Sequence, residues 1–238
     1  MTIRLLTTLD EFDQCRELQR EAFGSPESEL TPVRHFVVLA HIGGAVLGAF
    51  DNDRLVGFVA AMPGIRHCKP FWHSQMMAIA THSWNSGVAT QLKFAQRDEA
   101  IARGLHLIEW TFNPLESKNA HLNINKLGVI VRRYYPNHYG QVNSAIYQGL
   151  ESDRVIAEWW LGEPRIAVSG ETRRVSIPAD LQSLKKDNLS AARDEQRRIR
   201  EEFLKHIQDD FFVVAVERKG DVSDYVFIRG ASGVHSTD

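Results

Sequence analysis

Residues 76–92 combine an apolar run, a glycine-bearing turn and a helical pattern, in that order along the chain. Gly87 and Ala89 stand where the helix would begin, and their small side chains leave the backbone amides open to a large anion. Free amides at a helix N-terminus lie at the positive end of the helix dipole. The segment therefore predicts a phosphate or pyrophosphate site, although a glycine and an alanine at a helix start also occur in proteins without any ligand there.

Two ionisable side chains could move protons close to this segment. On a predicted strand at residues 105–112, alternation of side chains puts Glu109 on one face together with Leu107 and Thr111. Glu109 is the best candidate for a general base, and a structural hydrogen bond at the sheet edge is the alternative. His73 on the preceding strand could relay a proton through water, and capping of a loop is the alternative there.

The elements that must position these residues form a mixed α/β pattern. Residues 3–6 predict a strand, and Thr8 with Glu11 makes a capping box at the start of a helix. A second helix is predicted with Pro32 at its first helical position, and the glycine pair at residues 43–44 ends it.

A hairpin and a long strand come next. Apolar runs at residues 45–50 and 55–61 flank an Asp-Asn-Asp-Arg turn, which predicts two antiparallel strands. A loop that contains Pro63, Gly64 and Pro70 is predicted before the strand at residues 71–80.

The pattern from residue 88 onward predicts a helix to residue 103, strands at 105–112 and 129–135, and a helix at 117–127. After residue 161 the chain turns polar, so we expect a domain of residues 1–161 and a C-terminal extension of residues 162–238, ordered strand, helix, strand, strand. The charged helix of that extension, at residues 191–205, has acidic residues between its arginines. This favours a solvated helix over a nucleic-acid-binding arm.

Composition excludes several classes of partner. The 28 Lys and Arg residues face 30 Asp and Glu residues, for a net charge of −2, so we expect neither a nucleic acid nor a membrane as partner. The two cysteines, Cys15 and Cys68, lack the spacing of a zinc site, so we expect no metal and a reducing compartment. With no signal-peptide pattern and no long apolar stretch, a cytoplasmic location is expected.

Residues 84–89 resemble the acetyl-CoA motif of the GNAT superfamily of N-acetyltransferases, in which an Arg or Gln precedes a Gly-x-Gly/Ala by three positions. Gly87 and Ala89 match, and Trp84 occupies the Arg/Gln position. Residues 119–128, with Asn-Ala ahead of Lys-Leu-Gly, are similar to the family's second motif. The order of elements over residues 1–161 matches as well, and several stretches resemble a GNAT subgroup with an added C-terminal segment. The resemblance implies an α/β chain (α+β, mixed sheet) with the GNAT-like acyl-CoA N-acyltransferase fold and a small C-terminal α/β appendage.

The resemblance also implies a reaction and its cofactor contacts. Acetyl-CoA would be the co-substrate and an amine of a small molecule the acceptor, by direct attack on the thioester. The backbone of Met77 and Ile79 would pair with the pantetheine arm, and the strand from residue 105 would splay away to open a slot for the thioester. The other cofactor contacts that it implies are Trp84, Asn85, Ser86, Gly87, Val88, Ala89, Thr90, Asn119 and Asn123. For Asn119, helix capping is the alternative.

Two departures from the family pattern leave other functions open. Ile124 stands where many members carry the tyrosine that protonates the thiolate; Tyr139 could substitute, as could Tyr134 or Tyr135, but strand-forming aromatics are the alternative. A non-catalytic acyl-CoA-binding or regulatory module is therefore a second hypothesis. A third is a scaffold that binds no cofactor and self-associates, for example as a homodimer.

Overall fold

The computed structural model describes residues 1–24, 26–140 and 149–230 of the 238-residue chain. Its contacts define two units. The first comprises Met1–Trp110 and Trp160–Glu163, and the second comprises Thr111–Trp159 and Pro164–Asp238. The domain boundary that we expected after residue 161 stays a prediction.

The helices of the first unit begin largely where the sequence predicts. Helix α1 (Leu9–Phe23) starts at the predicted capping box, because the Thr8 side chain accepts from the Glu11 amide and the Glu11 carboxylate accepts from the Thr8 amide. Helix α2 spans Val33–His41, and Pro32 is its N-cap rather than its first helical residue. The prediction for Pro32 is wrong because its ψ of 147° is extended, so the helix begins only at the next residue. Helix α3 spans Val88–Ala102.

In the part of the first unit that the structure describes, five strands form a sheet in the order β1-β2-β3-β4-β5, all antiparallel except for the parallel pair β4–β5. They are β1 (Thr2–Leu5), β2 (Ala45–Asp51), β3 (Arg54–Arg66), β4 (Lys69–Ile79) and β5 (Leu107–Phe112), the last of which ends in the second unit. Single 3₁₀ turns lie at Glu27–Glu29 and Thr81–Ser83. The rings of Phe36 and Phe58 meet edge to face with centroids 5.7 Å apart, so α2 packs on one face of the sheet.

The prediction of a loop around Pro63, Gly64 and Pro70 is wrong. Strands β3 and β4 pair over their whole length, with Pro63 opposite Trp72 and Pro70 opposite Ile65, up to a two-residue turn. Among the described residues β2 begins opposite Ala61, so β3 beyond that point pairs only with β4. Proline is tolerated at such a sheet edge because no ladder hydrogen bond is needed from its nitrogen.

Strand β4 contains one extra residue, Gln75. Its neighbour Ser74 pairs with Ala61 and Met76 pairs with Ala60, so Gln75 has no partner of its own in β3. Because directly paired residues share a face, Ser74 and Met76 point to opposite faces of the sheet. Before the bulge, even-numbered residues of β4 face α3; after it, even-numbered residues face α2.

The described residues of the second unit form three helices, a π-helical segment and five strands. A short helix α4 (Ser117–Ala120) continues into a π-helix (His121–Leu127) that ends at Gly128, so the helix predicted for residues 117–127 changes type half-way. The other elements are β6 (Ile130–Tyr135), β7 (Arg154–Trp160), β8 (Thr172–Pro178), α5 (Leu181–Asp187), α6 (Leu189–Gln208), β9 (Phe211–Lys219) and β10 (Val222–Arg229). The strands lie in the order β7-β6-β9-β10-β8, and each neighbouring pair is antiparallel.

Helix α6, the charged helix of the C-terminal extension, has one buried face, as its sequence predicts. In α6, Ala192, Gln196, Ile199 and Phe203 are buried, while the arginines and glutamates between them are exposed or half-buried. Phe203 contacts the ring of Tyr225 in β10, with centroids 4.9 Å apart. This is a solvated amphipathic helix packed on the sheet of its own unit.

Candidate functional site

Strands β4 and β5 separate soon after they meet. They pair at Trp72 with Ile108 and at His73 with Glu109, and no later pair is formed among the described residues. Among the described residues, residues 74–79 of β4 therefore have no paired strand on the side away from β3, which leaves an opening along this edge of the strand. This is the arrangement that we expected for the strand that begins near residue 105.

The edge of β4 along this opening carries backbone groups that point away from β3. The Ala80 amide donates to the Val56 carbonyl at 2.9 Å, so Ala78 and Ala80 direct their backbone groups toward β3. Met77 and Ile79, which alternate with them, direct theirs toward the opening. One of these backbone groups already has a hydrogen-bond partner, since the indole Nε1 of Trp84 donates to the Ile79 carbonyl oxygen at 2.9 Å.

The turn before α3 exposes backbone amides. Asn85 and Gly87 have positive φ values of 61° and 87°. The first bond within α3 runs from the Gln91 amide to the Gly87 carbonyl, so the amides of Val88, Ala89 and Thr90 have no acceptor among the described residues.

The indole of Trp84 does not fill this turn. A Cβ placed on Gly87 would find only Gln91 Nε2 within 4 Å, at 3.8 Å, so the space beside the glycine is open. The Trp84 side chain is 56% exposed. The anion site predicted for residues 85–90 is thus sterically accessible in front of α3.

Glu109 and His73 come together on the α2 face of the sheet. Glu109 Oε1 lies 3.8 Å from His73 Nδ1, too far for a hydrogen bond. The Glu109 side chain is only 8% exposed, and its other oxygen accepts from the Arg66 guanidinium. No sequence pattern joins Glu109 to Arg66, which is 43 positions away in the chain and was not among the predicted site residues. The carboxylate thus has both a neighbour for proton relay and the structural partner that the alternative interpretation requires.

A buried lysine on the opposite face was also missed. Lys93 of α3 is 3% exposed, and desolvation lowers the pKa of its side chain to about 7. Its Nζ donates to Ser74 Oγ at 2.8 Å and lies 3.6 Å from the ring centroid of Trp110. The one sequence signal was its place beside Leu92 and three residues before Gln96, on the inward side of α3.

The remaining predicted site residues lie in the second unit. Tyr139 is 49% exposed, and its hydroxyl forms a hydrogen bond of 2.8 Å with Thr111 Oγ1. Asn119 Oδ1 accepts from Asn123 Nδ2 at 3.4 Å. The N-cap of α4 is Glu116, so Asn119 does not cap this helix. Asn123 is 2% exposed and faces the interior of its unit.

Two features are absent from the described residues. In that part of the chain, no group of three or more His, Cys, Asp or Glu side chains is arranged to hold a metal ion. None of the helices found there has the length and apolar character needed to cross a membrane.

No family profile and no curated protein matches the chain. Solved structures do match. An acetyltransferase of the GNAT family from Streptococcus pneumoniae is 16% identical, with a TM-score of 0.53 over 68% of this chain and 99% of that one. The aminoglycoside 6'-N-acetyltransferase from Enterococcus faecium is also 16% identical, with a TM-score of 0.53 over 70% and 100%. A chain of the NatC complex bound to Gag peptide and CoA is 14% identical, with a TM-score of 0.52 over 67% and 98%. The chain has the fold of the GNAT-family acetyltransferases.

Proposed function

We propose that this chain transfers an acetyl or other short acyl group from acetyl-CoA to an amine of a small molecule by direct attack. The observation that carries the proposal is the open edge of β4 beside the accessible N-terminus of α3. Both belong to the first unit, which is also where the resemblance to the acetyl-CoA motif lies. The similarity in fold to N-acetyltransferases supports it.

Each part of the co-substrate would have a matching surface. The pyrophosphate would accept hydrogen bonds from the amides of residues 85–90, where the helix dipole adds a favourable positive potential. The pantetheine amides would pair with the outward backbone groups of Met77 and Ile79, as an added strand does. The thioester would then lie between β4 and β5, where the two strands no longer pair.

Glu109 is our candidate for the group that accepts the proton of the attacking amine, with His73 as a relay. An amine of ordinary pKa near 10 is protonated at neutral pH, so it has to lose a proton before it attacks. Glu109 and His73 stand at the last paired position of β4 and β5, directly before the opening. Tyr139, Asn119 and Asn123 stay predictions as further contacts.

The proposal names a small molecule because the α2 side of the opening is partly closed. His35 of α2 forms a hydrogen bond of 2.9 Å with Gln75, the extra residue of β4. This contact joins α2 to β4 two residues from His73 and leaves less room for an extended peptide. Among similar folds, the Enterococcus faecium enzyme is named for an aminoglycoside, whereas the NatC complex holds a peptide.

A thermal-shift experiment tests the cofactor part. We expect acetyl-CoA to raise the melting temperature, since a ligand at a hundred times its Kd stabilises a protein by about 2.7 kcal/mol. Gly87→Trp should abolish this shift. The matched control is Gly104→Trp, at the other end of α3, where φ is also positive and nothing lies within 4 Å of a Cβ. No shift for the unsubstituted protein at millimolar acetyl-CoA would reject the proposal.

Release of free CoA thiol tests the transfer itself, with a panel of aminoglycosides, polyamines, amino acids and short peptides. Turnover with a non-peptide amine supports the proposal, and turnover confined to peptides rejects its acceptor class.

A second candidate is a non-catalytic acyl-CoA-binding or regulatory module. It is favoured by the hydrogen bond from Trp84 to the Ile79 carbonyl, a group that we expect the pantetheine arm to use. CoA binding without turnover across the whole panel would support this candidate. In that case Trp84→Phe, which removes the indole donor, should strengthen CoA binding.

A further inference from the structure

A buried cluster centred on Lys93 lies where β4 and β5 separate. The last pair of the two strands is His73 with Glu109, and the next residues, Ser74 and Trp110, point to the opposite face of the sheet. Lys93 Nζ contacts both, at 2.8 Å from Ser74 Oγ and 3.6 Å from the Trp110 ring centroid. The amine therefore bridges the two strands at the start of the opening, on the α3 face, while Glu109 stands on the α2 face.

This cluster has more hydrogen-bond donors than acceptors. A protonated Lys93 offers three N–H groups, and it has two oxygen acceptors, Ser74 Oγ and Gln96 Oε1, the latter at 3.3 Å, besides the face of the Trp110 ring. Gln96 is fully buried, and its Nε2 has no acceptor among the described residues. Buried donors without acceptors are costly, so the group that completes this cluster has to be an acceptor.

On the basis of the proposed acetyl transfer, we propose that Lys93 is a catalytic residue that protonates the thiolate of CoA as it departs. The thioester sulfur would be the missing acceptor of the cluster, in the opening that Lys93 bridges. Lys93 would thus donate the proton that many GNAT members donate from a tyrosine, at the motif position where this chain has Ile124.

The proposed step moves the acyl group from sulfur to nitrogen. The ammonium of the acceptor first loses one proton, through Glu109 and His73, to solvent. The neutral amine then forms a bond to the thioester carbonyl carbon, the carbonyl electron pair moves to oxygen, and the nitrogen gives a second proton to Glu109. When the tetrahedral intermediate collapses, the C–S bond breaks and its electron pair goes to sulfur. Sulfur then takes a proton from Lys93 Nζ, which leaves a CoA thiol and a neutral lysine, and Lys93 regains a proton from water after CoA leaves. Glu109 returns its own proton to solvent.

The acidity of Lys93 suits this step. Burial lowers the pKa of Lys93 to about 7, whereas an ordinary thiol has a pKa of about 8.5. Proton transfer from the ammonium to the thiolate is therefore downhill. Close to neutral pH a large fraction of Lys93 still carries the proton that it has to donate.

The test compares two ligands that differ by one atom, CoA and desulfo-CoA, which lacks the sulfur. The pKa of Lys93 is followed by NMR on the side-chain carbon next to the amine, and the resonance is assigned with Lys93→Met. We expect CoA to raise this pKa relative to desulfo-CoA, because the thiol sulfur accepts a hydrogen bond from the ammonium and so favours its charged form. The measurement is made on the unsubstituted protein, so it does not depend on how a variant folds.

Every outcome decides the proposal. Equal pKa values with CoA and desulfo-CoA, when both ligands bind, overturn the role of Lys93 and leave the proposed acetyl transfer intact. Failure of both ligands to bind overturns the acetyl transfer and the role of Lys93 with it. With an acceptor that turns over, Lys93→Met should lower kcat by about 10²- to 10⁴-fold and remove the fall of kcat at high pH. An unchanged pH profile in this variant would contradict the acid role.

Discussion

Substitution of Lys93 by methionine should change how the stability of the protein depends on pH. The folded-state pKa of Lys93 is about 7, well below the ordinary value of 10.5, because the side chain is buried. Between these two pH values the unfolded chain binds the proton and the folded chain does not. The free energy of unfolding of the unsubstituted protein therefore rises with pH across this window. Below pH 7 the cost of burying the charge is fully present, and above about pH 10.5 it is gone.

The size of the effect follows from the two pKa values. A fall from 10.5 to about 7 corresponds to about 5 kcal/mol, since one pKa unit is worth about 1.4 kcal/mol. Titration is gradual around each pKa, so only part of this energy appears between pH 7 and pH 9. The free energy of unfolding is expected to change by about 2 kcal/mol over that range. Lys93→Met removes the titrating group and retains most of the side-chain length. The stability advantage of the variant should therefore shrink by about 2 kcal/mol over this range.

Urea unfolding of both proteins at pH 7, 8 and 9 measures this difference. Taking the difference between the two proteins cancels the titration of groups that they share. Lys126→Met is the control, because Lys126 is exposed on the π-helical segment and its removal should give a difference that stays constant with pH. A constant difference for Lys93→Met as well would refute the depressed pKa and would remove one support for Lys93 as an acid.

Three further substitutions probe other parts of the chain. Arg200→Met should lower the free energy of unfolding by about 3–5 kcal/mol, because it leaves the fully buried Asp153 carboxylate without its guanidinium. Adding Asp153→Asn should restore part of the loss. A loss below about 1 kcal/mol would contradict this reasoning. Thr8→Ala should cost about 1 kcal/mol in urea unfolding through loss of the α1 cap, and Thr7→Ala, the control, should cost less. Glu109→Gln should keep the acetyl-CoA thermal shift and lower turnover about 10²- to 10⁴-fold; unchanged turnover with lower stability would show that this carboxylate is structural.

Local signals predicted the helices and most strands well. The capping box at Thr8 predicts the start of α1 because its hydrogen bonds join residues only three apart. Prolines were less informative. Pro63 and Pro70 indicate a loop when read locally, yet both lie in strands, because β2 covers β3 only up to Ala61 and β5 pairs with β4 only at residues 72–73. Where a neighbouring strand begins depends on tertiary register, and no short segment of sequence contains that information.

The candidate site was predicted in part. The turn at Gly87 and the strand before it were predicted because a strand, a turn and a helix in succession leave a continuous pattern in the sequence, and their role in binding stays a prediction. The pairing of Arg66 with Glu109 joins residues 43 positions apart, and the burial of Lys93 depends on Ser74 and Trp110 from two different strands. A lysine in a helical pattern ordinarily predicts a solvent-exposed side chain, so the burial of Lys93 is apparent only from tertiary packing.

The extra residue in β4 affects how this chain has to be aligned with others. Gln75 reverses the phase of the strand, so His73 before it and Met77 after it, although both odd-numbered, point their side chains to opposite faces of the sheet. Set against a strand without the bulge, the chain needs a one-residue gap at this position. Without that gap, every residue from Met76 to Ile79 would be compared with a position on the wrong side of the sheet, and a real relative could be overlooked.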